Sequence, residues 1–215
     1  MTVLLKQVDH LVYATPDLKA GIDELEKMLG IRATDGGRHV GLGTCNSLLA
    51  LGPESYLEII GPDPAQKSFP SPRPFGIDQL SSSRLVTWAA RSANLEQLAA
   101  LDLGEGTRLG SVASGSRRTP QGVSLSWRFT DPRTVVAEGI VPFLIDWGNT
   151  SHPAKTAASG ATLIDLRAQH PEHERVQKML TALGLELRVS RGPKAALFAT
   201  IQTPRGRAEL STWDS

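Results

Sequence analysis

The sequence of 215 residues has one cysteine, Cys45, so it can form no internal disulfide. A reducing compartment suits such a chain, and a cytoplasmic location is the expectation. Long apolar runs are also missing. No segment is long and apolar enough to span a bilayer, and the opening MTVLLKQVDHLVYA already carries Lys6, Asp9 and His10 instead of an uninterrupted apolar stretch. Charge of one sign is absent too, since 23 Lys and Arg stand against 22 Asp and Glu with no basic run. Neither nucleic acid nor a membrane is therefore expected as a partner. Two kinds of catalytic loop are lacking. The stretch GLGTCN has neither the third Gly nor the following helix of a dinucleotide loop, no P-loop occurs, and no Ser sits in a G-x-S-x-G turn.

What is present is a recurring pattern. Residues Val8 to Ala14 favour a strand, and TPDLKAGIDELEKMLG then changes to helical period, with Leu18, Ile22, Leu25 and Leu29 on one face. Thr15 is the expected cap, Pro16 the expected first helical residue, and Gly30 the left-handed stop. Three strands follow, around Val40 to Gly43, Ser47 to Leu51 and Tyr56 to Ile60. The order strand, helix, three strands returns from RLVTWAA to GIVPFLIDWG, and again from GATLIDLRA to RAELSTW. This predicts an α+β fold of repeated βαβββ units. Residues 1–148 would form two paired units, and residues 149–215 a third, packed on them or at a homodimer interface that covers its apolar sheet face. The connector PDPAQKSFPSPRPFGIDQLSSS carries Phe69 and Phe75, which are costly to leave in water, so it is expected to close over something.

Within the apolar strand Tyr56–Ile60 stands Glu58. Alternation puts it on the face opposite Leu57 and Ile59, where a carboxylate must be exposed, paired or bound to a metal. Strand parity also sets His10 with Val12 and Ala14, away from Leu11 and Tyr13. Together with RHVGLGTCNSLLALGPESYLEIIGPDP, SRRTPQGVSLSW, VPFLIDWG, SHPA and TPRG, this pattern resembles the glyoxalase-like domain proteins of the vicinal oxygen chelate superfamily.

The resemblance implies a half-open, curved mixed-sheet barrel with helices outside, and metal ligands on the first and last strands of each unit. By position these are His10 and Glu58 in the first unit. In the second, Leu85 falls at the His position and only Asp146 can ligate. Nitrogen and carboxylate donors suit Zn, Mn, Fe or Ni. His39 and Asn46 are expected to line the pocket, beside glycines that leave room at the backbone. Arg117 and Arg118, with Trp127, offer a cationic and aromatic wall for a small anionic, partly apolar ligand. The bland alternatives are a hydrogen-bonded His10, a solvated Glu58, an Asp146 that closes a turn, and a solvated Arg hairpin.

Two functions follow. One is a metal-dependent enzyme with lyase or isomerase chemistry on a small molecule with adjacent oxygens. The other is a metal-free protein of the same fold that binds or sequesters a small molecule.

Overall fold

The computed structural model describes residues 2–39, 41–69, 72–119 and 122–213. The first unit runs from β1 (Val8–Ala14) through helix α2 (Leu18–Leu29) to β2 (Thr34–His39), β3 (Thr44–Gly52) and β4 (Ser55–Pro62), after a short leading helix α1 (Val3–Gln7). The second repeats the order with β5 (Arg84–Arg91), α3 (Leu95–Ala99), β6 (Val112–Arg118), β7 (Ser124–Thr130) and β8 (Phe143–Asp146). In both units the last strand pairs in parallel with the first, β4 with β1 and β8 with β5. The units join where β1 and β5 run antiparallel, which gives an eight-stranded sheet in the order β2-β3-β4-β1-β5-β8-β7-β6.

The sheet is curved like a barrel and nearly closed. Its edges meet where the Arg117 guanidinium on β6 donates to the Gly36 carbonyl on β2. A Cβ on Gly37 would stand 2.9 Å from the Arg118 carbonyl oxygen, so the edges approach this closely only because β2 has no side chain there.

Parity sorts the side chains into two faces. His10, Val12, Tyr56, Glu58, Asn46 and Leu48 share the inner face through the pairings of β1, β3 and β4. Leu11, Tyr13, Leu49, Leu57, Ile59, Leu85 and Trp88 take the outer face and form one core with Ile22, Leu25 and Leu29 of α2. Asp17 caps α2 by accepting from Ala20 N at 3.0 Å, two residues later than the expected Thr15 cap, and Thr15 instead hydrogen-bonds locally to the Asp17 backbone. Gly30 ends the helix at φ 75° as expected. The strand expected around Val40 to Gly43 lies earlier, at Thr34–His39. Gly41 and Gly43 have φ of 80° and 68° and belong to the turn, while Val40 lies outside the described residues.

The third unit keeps the element order, with β9 (Thr162–His170), α4 (His173–Ala182), β10 (Val189–Arg191), β11 (Ala196–Thr203) and β12 (Gly206–Ser211). Its pairing differs. β9 lies between β10, which is parallel to it, and β11, which is antiparallel, in a separate sheet ordered β10-β9-β11-β12. Here the strand after the helix returns directly beside the first strand as a βαβ crossover, whereas β2 of the first unit lies at the far edge of its sheet. Leu163, Leu166, Ile201 and Leu210 of this sheet enter the same core as Leu57 and Trp88. Among the described residues no helix is long and apolar enough to cross a membrane.

Because both sheets contribute to one core, the chain should unfold in a single cooperative transition. Ile201→Ala, at a fully buried position, should lower stability by about 2–5 kcal/mol and shift that whole transition. Denaturation followed by far-ultraviolet circular dichroism and by tryptophan fluorescence checks this. Two separated transitions would show that the sheets unfold independently.

Candidate functional site

Glu58 sits inside the barrel, 6% exposed. One of its oxygens, Oε1, accepts a hydrogen bond from Asn46 Nδ2 at 2.6 Å. The other, Oε2, makes no hydrogen bond among the described residues, and His10 Nε2 stands 3.7 Å from it. His39 Nε2 lies 3.7 Å from Oε1 and 3.2 Å from Asn46 Nδ2. These contacts assign the tautomer of His39. Its Nδ1–H donates to Thr44 Oγ1 at 2.9 Å and its Nε2 accepts from Asn46, so the ring is neutral. Burial points the same way by holding the His39 imidazolium below its ordinary range. Asn46 thus spends both amide protons, one on Glu58 and one on His39. Its carbonyl oxygen has no hydrogen-bond partner among the described residues and lies over Gly36, where a Cβ would come within 2.2 Å.

His10 is held from behind. Neighbours on a regular strand point to opposite faces, but the β1–β5 register slips at Asp9, between Val8 and His10. The extra residue turns its carboxylate to His10 Nδ1 at 2.8 Å. The same carboxylate accepts from Trp147 Nε1 at 3.2 Å and from His152 Nε2 at 3.2 Å. Burial alone would raise the Asp9 carboxyl, but the hydrogen bonds from His10 and His152 outweigh it and hold the group well below the usual carboxylate range. On its front side the His10 ring stacks on Tyr56 at 4.6 Å between centroids. With Nδ1 committed to Asp9, Nε2 is the nitrogen turned to Glu58.

The opposite wall is aromatic. Trp127, Phe129 and Phe143 line the cavity with Ile60, and Arg117 lies beside them. Gly115 makes room for this wall, since a Cβ there would stand 2.5 Å from the Trp127 ring. The connector that was expected to close over something does so. Phe75 enters the cavity lining and faces Phe143 at 5.8 Å, Phe69 lies on Gly43, and Pro70 and Ser71 lie outside the described residues. Phe75 holds a φ of 62°, a strained conformation for a residue with a side chain, next to Gly76 at 64°. The cavity is narrow, about 50 Å³, and Phe75 forms part of its wall.

Most of the residues expected from the sequence meet here. His10, Glu58, His39, Arg117 and Trp127 line one cavity, and Asn46 orients Glu58. Two do not join them. Asp146 falls one residue out of register with the inward Phe143 and Ile145, and its carboxylate accepts from Gly148 N at 2.8 Å, the turn-closing role. Arg118 alternates away from Arg117 and is exposed. Asp9, Thr44, Trp147 and His152 were not singled out for the site. Thr44 lies in RHVGLGTCNSLLALGPESYLEIIGPDP and Trp147 and His152 in VPFLIDWG and SHPA, the stretches that carry the resemblance, and nothing local links them to Asp9.

The glyoxalase-like domain model matches residues 8–184. The chain belongs to the glyoxalase-like domain family. Among solved structures it is similar to a hypothetical protein from Staphylococcus aureus, with 14% identity and a TM-score of 0.60 over 87% of this chain and 86% of that one. It is also similar to methylmalonyl-CoA epimerase from Mycobacterium tuberculosis, at 20% identity and TM-score 0.42 over 69% of this chain and 92% of that one. A Streptomyces coelicolor methylmalonyl-CoA epimerase, solved with 2-nitronate-propionyl-CoA, matches at 18% identity and TM-score 0.41 over 65% and 95%. At these identities the likeness is one of fold. No curated protein matches the sequence.

A divalent ion is what this glyoxalase-like family implies, and the residues present do not fit one as they stand. Among the described residues no group of three or more His, Cys, Asp or Glu side chains is arranged to hold a metal. The Asn46 amide occupies lone pairs of both His39 Nε2 and Glu58 Oε1, and an ion on those atoms would displace it. The second unit turns Thr87 and Ala89 of β5 and Phe143 and Ile145 of β8 inward. None of these supplies a ligand, since the Thr87 hydroxyl is committed to the Gly139 carbonyl at 2.8 Å.

The Asp9 network makes a pH-dependent demand on stability. A carboxyl with a lowered folded-state pKa contributes stability that is present above its unfolded value, 3.8, and lost as pH falls through the folded value. Asp9→Asn leaves buried donors unmatched and should cost about 3–5 kcal/mol at neutral pH. The gap between wild type and variant should narrow as the solution is acidified below pH 3.8. Urea denaturation of both proteins across that range measures it, and a gap independent of pH would contradict the charge assignment.

Proposed function

We propose that this chain is an enzyme that moves a proton on a small molecule bound inside the barrel, with Glu58 as the base. The observation that carries this reading is the state of the Glu58 carboxylate. It is buried against apolar walls, held at Oε1 by Asn46, and free of hydrogen bonds among the described residues at Oε2, the oxygen 3.7 Å from His10 Nε2. A carboxylate removed from water and left with one open oxygen is placed to take a proton from a carbon next to a carbonyl. Glu58 Oε2 accepts that proton and returns it to the adjacent carbon, an isomerase reaction, or the electron pair left behind expels a neighbouring group, a lyase reaction. His10 Nε2 is the polar group next to the proton while it is held. Asp9 fixes the imidazole through Nδ1, so His10 keeps its bearing as substrate binds.

A second reading keeps a divalent ion, Zn, Mn, Fe or Ni. One observation favours it. Both imidazoles have Nδ1 engaged, by Asp9 and by Thr44, and both present Nε2 toward Glu58, the orientation that a hydrogen bond at Nδ1 gives a metal-bound histidine. His10, His39 and Glu58 would then hold the ion once Asn46 turned away, and the ion would polarise a substrate oxygen.

Proton exchange in deuterium oxide tests the leading reading directly. Incubated with a panel of 2-oxo acids, hydroxy ketones and 2-oxoaldehyde adducts, the wild type should place deuterium on the carbon beside the carbonyl of at least one. Glu58→Gln should slow that exchange on the order of 10²-fold or more. Equal exchange by wild type and variant would reject Glu58 as the base, and no exchange with any compound would leave the small-molecule binding role in its place. Exchange that disappears with EDTA and returns with one divalent ion, together with that metal in protein purified without additions, would select the second reading.

A further inference from the structure

Arg117 is a buried cation with no anion to match it. The residue is 7% exposed, and its one hydrogen bond among the described residues goes to the Gly36 carbonyl, a neutral acceptor. Among the described residues no ion pair involves it, although Arg91, Arg128 and Arg167 each find a carboxylate partner at the surface. Glu58 acts on it electrostatically but is not within ion-pair distance. Burial accordingly pulls the guanidinium below its ordinary range. Desolvating a cation without a partner is costly, and sequence selection can shed that cost by replacing the residue with an apolar one of similar length. Arg117 therefore has a use that the free protein does not show.

Its position identifies that use. The guanidinium stands in the wall shared by the tight cavity at Glu58 and a second, roomier cavity of about 400 Å³. Arg117 is the only Lys or Arg among the residues lining the second cavity. Thr34 and Thr119 line it too, and each accepts one backbone N–H, from Ala158 and Val123, so each hydroxyl proton remains free to donate. Leu48, Leu125 and Val123 supply apolar walls, and Asp35 stands on the exposed rim. We infer that Arg117, with the hydroxyls of Thr34 and Thr119, forms a carboxylate subsite, and that the substrate of this barrel is a carboxylic acid whose acid group lies against Arg117 while its reacting carbon lies at Glu58. The subsite rests on the reading of Glu58 as the reacting group only for the second half of that statement. A guanidinium and two hydroxyls present several directed donors to a carboxylate, whereas a neutral amide of the same shape leaves the cation unmatched.

The test uses benzoate as the charged probe and benzamide as its neutral isostere, read by thermal shift and by intrinsic tryptophan fluorescence. Wild type should bind benzoate and respond to benzamide at least about tenfold more weakly. Arg117→Met should fold at least as well as wild type, since it removes an unpaired buried charge, and should lose the preference for benzoate. Arg117→Lys, with a point charge in place of the fork, should keep a reduced preference. Glu58→Gln should still bind benzoate, as tightly as wild type or more so, because a nearby negative charge has gone. Failure of wild type to respond to benzoate at the highest concentration the protein tolerates would overturn the inference. So would equal binding of benzamide, or unchanged benzoate binding by Arg117→Met. If Glu58→Gln retained deuterium exchange while Arg117→Met lost benzoate, the proton-transfer reading would fail and the carboxylate subsite would stand.

Discussion

The site depends on one buried carboxylate. Asp9 accepts hydrogen bonds from His10 on its own strand, from Trp147 just past β8, and from His152 in the segment that follows. Two stretches far apart in the chain, one around Asp9 and His10 and one from Trp147 to His152, are thereby tied at one end of the barrel. The charge itself does this, because a buried ionised carboxylate needs several donors and each donor is drawn to it from a different element. His10 would otherwise be a rotor in a strand. Pinned at Nδ1 and stacked on Tyr56, it can present only Nε2 to the cavity.

A second constraint is backbone closeness. Gly36 leaves space for the Asn46 amide, Gly37 lets β2 approach β6, and Gly115 lets the Trp127 indole lie on its strand. These three positions bring the two halves of the barrel within reach of one small cavity. The polar half, with Glu58, His10 and His39, comes from the first unit, and the aromatic half, with Trp127, Phe129 and Phe143, from the second. The two units share topology, but their inner faces have different chemistry, and Arg117 is the one charged group that the second unit contributes to the cavity.

Much of this was legible in the residues. Capped helices and alternating strands recur, so the α+β class and the repeated element order could be read from periodicity, and parity alone placed His10 with Val12 and Glu58 opposite Leu57. Parity misleads where a strand is short and its register is open. Asp146 looked like the partner of Glu58 by alignment, but one residue of slip sets it on the outer side with Leu144, whereas Ile145 faces inward. Arg117 and Arg118 looked equivalent in sequence, and only pairing with Leu125 on β7 shows which one faces in.

The sequence by itself determined the local elements and the composition of each face, because helix period, strand alternation and the glycine positions act over a few residues. The tertiary structure alone decided what the faces meet. The pairing of β9 with β10, the slip at Asp9 and the arrival of His152 depend on contacts between segments that no local pattern connects. Burial then sets the electrostatics, since Asp9, His39 and Arg117 depart from their ordinary ranges only after the barrel has removed them from water and chosen their neighbours.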